Sequence, residues 1–115
     1  VNDMKHGSGV FLYATGVKYE GNFRKNQRHG HGTLTSKDGT YEGEWADSSK
    51  HGCGRYVYLN GDIYDGEYKH DKKSGHGEFK YHNGALYIGQ YRNDKRNGQG
   101  TYSFNGGTYV GEWLD

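Results

Sequence analysis

The chain has 115 residues, 21 of them glycine and 12 tyrosine, with no proline and a formal charge of +1. Apolar residues make up only 30%, too few for an ordinary aliphatic core, while 16% aromatics argue against a disordered segment. A balanced charge excludes bulk attraction to nucleic acid, and the single Cys53 excludes an internal disulfide and fits a reducing compartment.

In chain order, the residues before Gly7 have the form of a tip. Gly7-x-Gly9 then opens a run with Phe11 and Tyr13, which leads to a turn at Gly16. Tyr19-x-Gly21-x-Phe23 follows, then a second tip over 24–29. Gly30-x-Gly32 leads through Leu34 and Ser36 to Asp38-Gly39, and Tyr41-x-Gly43-x-Trp45 comes next. After the 46–51 tip the order recurs as Gly52-x-Gly54, Tyr56, Tyr58, Asn60-Gly61 and Tyr64-x-Gly66-x-Tyr68. It recurs again after the 69–74 tip as Gly75-x-Gly77, Phe79, Tyr81, Asn83-Gly84 and Tyr87-x-Gly89-x-Tyr91. The last pass, after the 92–97 tip, is Gly98-x-Gly100, Tyr102, Phe104, Gly107 and Tyr109-x-Gly111-x-Trp113. A fixed period of this length marks a repeat architecture.

Each segment alternates with period two, the signature of a strand with one apolar face. Tyr19, Gly21 and Phe23 share a face; Glu20 and Asn22 take the other. The Asp-Gly and Asn-Gly pairs are hairpin turn signals. The expected fold is therefore all-β: a single-layer antiparallel meander of about ten short strands, two per repeat, in an elongated twisted ribbon. Alternate glycines leave slots that rings from neighbouring strands can cover, so most Tyr, Trp and Gly positions are expected to be scaffold. Repeats are expected near 1–23, 24–45, 46–68, 69–91 and 92–113, one array over 1–115. Neither end carries a capping segment, which points to an excerpt of a longer array or to ends that pair with another chain.

The stretches Tyr41-Glu-Gly-Glu-Trp45 with His51-Gly-Cys-Gly54, Tyr109-Val-Gly-Glu-Trp113, His29-Gly-His-Gly32 and Asp65-Gly-Glu-Tyr68 resemble the membrane occupation and recognition nexus (MORN) repeat. The resemblance covers essentially the whole chain. Phe or Tyr replaces Trp in three repeats, and Ser74-Gly75 and Asn97-Gly98 replace His-Gly. The resemblance implies an elongated sheet of hairpins acting in scaffolding, protein docking or attachment beside a membrane. Such repeats occur in ciliary and flagellar structures, in cytoskeletal scaffolds, in junctional membrane proteins and beside catalytic domains. The turn Asp94-Lys-Arg-Asn97 looks most like those of ciliary members.

Charge is sorted by position. The tips hold Arg24, Lys25, Arg28, Lys50, Lys69, Lys72, Lys73, Arg92, Lys95 and Arg96, ten of the 15 basic residues, against Asp47, Asp71 and Asp94. Outward strand positions carry Glu20, Glu42, Glu44, Asp65, Glu67 and Glu112 instead. In a meander all these tips fall on one edge, giving a basic edge beside an acidic face. Either the charge keeps an aromatic sheet soluble, or the edge docks an acidic protein or anionic lipid headgroups. The second candidate surface is the ringed face of Tyr19, Phe23, Tyr41, Trp45, Tyr64, Tyr68, Tyr87, Tyr91, Tyr109 and Trp113. Those rings either anchor a partner or bury themselves in the twist of the sheet; the sequence leaves both open.

No catalytic or metal constellation is expected. His29 and His51 sit a repeat apart, roughly 10 Å on strand spacing, too far for one zinc ion. Cys53 occupies an ordinary repeat position, held elsewhere by Ser8, His31, His76 and Gln99. Glu42 and Glu44 recur as Asp65 and Glu67, a pattern of solubility rather than of acid–base pairing. Gly-x-Gly never opens a helix, so no phosphate loop forms. The expectation is a non-catalytic, cofactor-free docking scaffold of a cytoskeletal or axonemal assembly, cytoplasmic, with other proteins as partners. Self-association through end strands or the ringed face is a further option; nucleic acid is not expected. The alternatives are a membrane-proximal module using its basic edge on anionic lipid, or a regulatory segment of an enzyme whose catalytic domain lies elsewhere.

Overall fold

The computed structural model describes residues 6–114. Ten strands run β1 (Gly7–Leu12), β2 (Lys18–Arg24), β3 (Gln27–Ser36), β4 (Gly39–Ala46), β5 (Ser49–Tyr58), β6 (Ile63–Lys69), β7 (Lys72–Lys80), β8 (Leu86–Arg92), β9 (Lys95–Phe104) and β10 (Gly107–Leu114). They form one open antiparallel sheet in chain order, the meander the alternation predicts. The molecule measures 56 × 24 × 18 Å.

Two hairpin classes alternate along the chain. At one edge the turns are two residues long, and both residues are left-handed: Lys25 and Asn26, Asp47 and Ser48, His70 and Asp71, Asn93 and Asp94. This mirror-image turn matches the right-handed twist of its strands. At the other edge, longer loops close with a backbone bond from the Gly61 N–H to the Tyr58 carbonyl (3.0 Å) and from Gly84 to Tyr81 (3.0 Å). Between Ser36 and Gly39 the connection is shorter. That accounts for the single 22-residue spacing, Gly30 to Gly52, among steps of 23.

Where β2 meets β3, β4 meets β5, β6 meets β7 and β8 meets β9, the register slips just beyond the paired glycines, for instance between Gly66 and Tyr68. Each slip is a bulge, with the first glycine of Gly-x-Gly left-handed (Gly30, Gly52, Gly75, Gly98). A flat ten-residue strand would reach about 33 Å, more than the 24 Å second dimension. The strands therefore bend at the bulges and fold their aromatic face inward.

The core is a herringbone of rings. Tyr41 meets Trp45 of its own strand and Tyr68 of the next repeat edge-on, both at 5.2 Å between centroids. Tyr64 does the same with Tyr68 (5.2 Å) and Tyr91 (5.3 Å). Tyr19 bridges Phe23 and Trp45, and Tyr87 bridges Tyr91 and Trp113. Each of these tyrosines lies over a glycine pair, Tyr41 over Gly43 and Gly54, Tyr64 over Gly66 and Gly77. Its hydroxyl donates to the carbonyl three residues on: Asn22, Glu44, Glu67, Gln90 and, for Tyr109, Glu112 (2.8–3.1 Å).

Candidate docking surfaces

The ten rings named from sequence divide. Tyr19, Phe23, Tyr41, Trp45, Tyr64, Tyr68, Tyr87 and Tyr91 are buried and form the core itself. Trp113 is half-buried and Tyr109 is 50% exposed. Of the two possibilities open for the ringed face, burial holds for eight of the ten. Desolvation by that burial raises the hydroxyl pKa values of Tyr41, Tyr64, Tyr68 and Tyr91 well above the usual tyrosine value, and that of Tyr58 to about 12. Neighbouring hydroxyls and carboxylates act in the same direction.

The ten basic residues divide as well. Arg28, Lys50, Lys73 and Arg96 do not stand on the edge. They turn onto the ringed face, where each cation lies over aromatic rings. The Arg28 guanidinium sits 4.7 Å from the Trp45 ring centre, and Arg96 4.5 Å from Trp113. Lys50 lies 5.6 Å from both Tyr41 and Tyr68, and Lys73 5.6 Å from Tyr64. Three of these positions are also gripped by the next turn along the edge. The Lys50 N–H donates to the Asp71 carboxylate (2.8 Å) while Asp71 N–H donates back to the Lys50 carbonyl (3.1 Å). Lys73 and Asp94 repeat the arrangement at 2.8 and 3.0 Å. The Arg28 N–H donates to the Ser48 hydroxyl. The ammonium groups add ion pairs of 3.7 Å (Lys50–Asp71) and 3.6 Å (Lys73–Asp94). A signal for this column stands in the sequence: the residue two before each Gly-x-Gly is Lys5, Arg28, Lys50, Lys73 or Arg96. Lys5 lies outside the described residues.

Arg24, Lys25, Lys69, Lys72, Arg92 and Lys95 remain exposed at the turns. On the outer face, some acids have partners of their own. Glu67 accepts the His76 N–H at the bulge (3.2 Å), the role Gln90 fills for Gln99 (3.1 Å). Among the described residues no group of three or more His, Cys, Asp or Glu gathers as a metal site, and Cys53 is exposed.

Over the middle repeats the inward fold leaves a groove of about 680 Å³. Its floor is Tyr56, Tyr58 and Tyr68; its rims carry Lys37, Asp38, Leu59 and Asn60 at one side and the Lys50–Asp71 and Lys73–Asp94 pairs at the other. Tyr56 and Tyr58 stack at 4.5 Å, and Leu59 stands 81% exposed at the mouth. Sequence reading named Tyr68, Lys50 and Lys73 as docking residues, but not Tyr56, Tyr58 or Leu59. Their signal is the aromatic-x-aromatic pair after Gly-x-Gly, which is Phe11 and Tyr13, Tyr56 and Tyr58, or Phe79 and Tyr81 in different repeats.

Comparison with known proteins gives the same periodicity from outside. A family model described as MORN repeat matches residues 1–18, 19–40, 41–63, 64–86 and 87–109. Alsin from Homo sapiens and from Rattus norvegicus is 41% identical over 54 residues, 42% of this chain and 3% of alsin. The MORN repeat-containing protein 3 of Xenopus laevis is 33% identical over 66 residues, 50% of this chain and 28% of that protein. The chain thus spans only a small part of the relatives it matches. With hairpin repeats, ring-over-glycine packing and five consecutive matches in agreement, the chain belongs to the MORN repeat family.

Proposed function

We propose that this chain is a non-catalytic scaffold that grips an extended protein segment in the groove over Tyr56, Tyr58 and Tyr68, as part of a cytoskeletal or axonemal assembly. MORN repeats are protein- and membrane-interaction modules. The observation that carries the narrower reading is the groove itself. It combines an aromatic floor with an exposed leucine at its mouth and charged rims of both signs, the chemistry of a peptide-binding cleft. The ion pairs of the rim satisfy each other, so the groove selects by shape and apolar contact rather than by net charge. Support for the axonemal setting is the likeness of the turn at 94–97 to ciliary members, and a fluorescently tagged full-length protein in ciliated cells tests it: exclusion from the axoneme removes that setting.

The groove is tested by placing a photocrosslinking amino acid at position 59 and, separately, at position 110 on the outer face, in the full-length protein in cells. The expected result is a discrete protein adduct from position 59, absent from position 110. Equal adducts from both positions, or adducts to lipid alone, would overturn the groove reading, and lipid adducts would favour membrane attachment.

A further inference from the structure

Six of the ten edge cations remain after Arg28, Lys50, Lys73 and Arg96 have turned onto the rings, and they are unevenly spread. Four belong to two neighbouring turns. Lys69 faces Lys72 across the β6–β7 hairpin, and Arg92 faces Lys95 across β8–β9. The acids of those same turns, Asp71 and Asp94, point the other way, to Lys50 and Lys73. Among the described residues, no carboxylate therefore pairs with Lys69, Lys72, Arg92 or Lys95. Between the two turns lies a depression of about 460 Å³ lined by Lys69, His70, Lys72, Ser74, Arg92 and Asn93. Three cationic residues, a serine, an asparagine and a histidine line it.

We propose that this depression is a binding site for a phosphorylated serine or threonine side chain of a protein partner. The inference rests on the docking reading above and says where part of its specificity lies. A phosphate monoester brings nearly two negative charges and three acceptor oxygens, which matches several unpaired cations together with neutral donors. Two observations favour a protein over a membrane. The edge is not a continuous basic strip: the turn Ala46-Asp47-Ser48-Ser49 carries no cation, so a flat bilayer would meet basic and non-basic turns alike. None of the exposed large apolar residues lies at 69–74 or 92–95, so the site has no wedge to enter a lipid layer, and charge alone attaches weakly.

The test is fluorescence anisotropy on the chain with a labelled Gly-Ser peptide carrying one phosphoserine, beside the same peptide unphosphorylated. A third arm uses phosphatidylcholine vesicles containing phosphatidic acid. The expected result is saturable binding of the phosphopeptide alone. Lys72→Ala and Arg92→Ala, surface changes checked for folding by circular dichroism, should each weaken it about tenfold. Arg24→Ala, at another turn of the same edge, should leave it unchanged. Equal binding of both peptides, equal loss in Arg24→Ala, or binding to the vesicles only would overturn the proposal. The adduct at position 59 reports the groove separately, so a failed phosphate site with that adduct intact leaves the docking reading standing.

Discussion

At the residue scale, the two glycines of each Gly-x-Gly serve different ends. The first, such as Gly75 (φ +67°), takes a left-handed conformation at the bulge. The second leaves room for a ring: a Cβ on Gly77 would overlap the Tyr64 phenol. Gly77→Ala should therefore cost about 1–3 kcal/mol, the range for overpacking a full core, read from urea unfolding. Tyr64→Phe keeps the ring but orphans the Glu67 carbonyl that its hydroxyl reaches at 2.9 Å. That change should cost about 1 kcal/mol, and a stability unchanged within error would show water replacing the hydroxyl. The hydroxyl bond explains why this column is tyrosine in all five repeats rather than phenylalanine. Period and glycine slots were legible in the sequence. The carbonyl partner was not, because alternation places the ring on a face but not the reach of its hydroxyl along the strand.

At the element scale, the two-residue turns do more than reverse the chain. Asp71 and Asp94 each hold the N–H and the ammonium of a lysine one hairpin back. Asp71→Ala should remove both interactions and lower stability by about 1–2 kcal/mol, whereas Asp71→Asn, which keeps an acceptor, should recover part of the loss. Lys25 takes a left-handed conformation (φ 50°) that lysine tolerates poorly and asparagine well. Lys25→Asn should raise the melting temperature, by an amount corresponding to about 0.5–1 kcal/mol. On the opposite edge the loops are tied by Asp62, which accepts both the backbone N–H and the ring nitrogen of His82 at 2.8 Å. Burial alone would raise the Asp62 carboxyl, but the bonds from His82 and Asn60 hold it below its ordinary 3.8. A lowered acid stabilises the fold above its unfolded value and loses that effect as the pH falls through its folded value. The stability difference between wild type and Asp62→Asn should thus be present at neutral pH and vanish in acid below the ordinary carboxylate value. A difference that persists there would rule out this tie.

At the scale of the whole molecule, the array behaves as a rod whose strands pair only with their chain neighbours, so its stability is close to a sum over adjacent repeats. The continuous herringbone adds a property no single repeat has. Burial raises the hydroxyls of Tyr41, Tyr64, Tyr68 and Tyr91 above their ordinary value of 10.0, and that of Tyr58 to about 12. A raised group contributes stability fully below its unfolded value and loses it as the pH rises toward the folded one. The rod should be stable to about pH 10 and then open cooperatively, with these tyrosines ionising together as it does. Tyrosinate absorbance and far-ultraviolet circular dichroism should change at the same pH; early independent ionisation of all twelve tyrosines would contradict a ringed core.

Period, strand alternation, turn sites and the ring-and-glycine columns were set by the sequence alone, because they rest on spacing along a strand and spacing survives without coordinates. Which acid ties which cation was decided only by the tertiary structure, because the partners Asp71 and Asp94 come from the next hairpin. Lys72 and Lys73 are adjacent in the chain and equally basic, yet one stands exposed at the turn and the other lies over Tyr64, tied to Asp94. Alternation along β7 puts Lys73 opposite Tyr68 on the ringed face and Lys72 on the other, and the inward fold of the strands turns the rings from a surface into a core. The sequence alone places a ring on one face; the curvature of the sheet determines whether that face meets water.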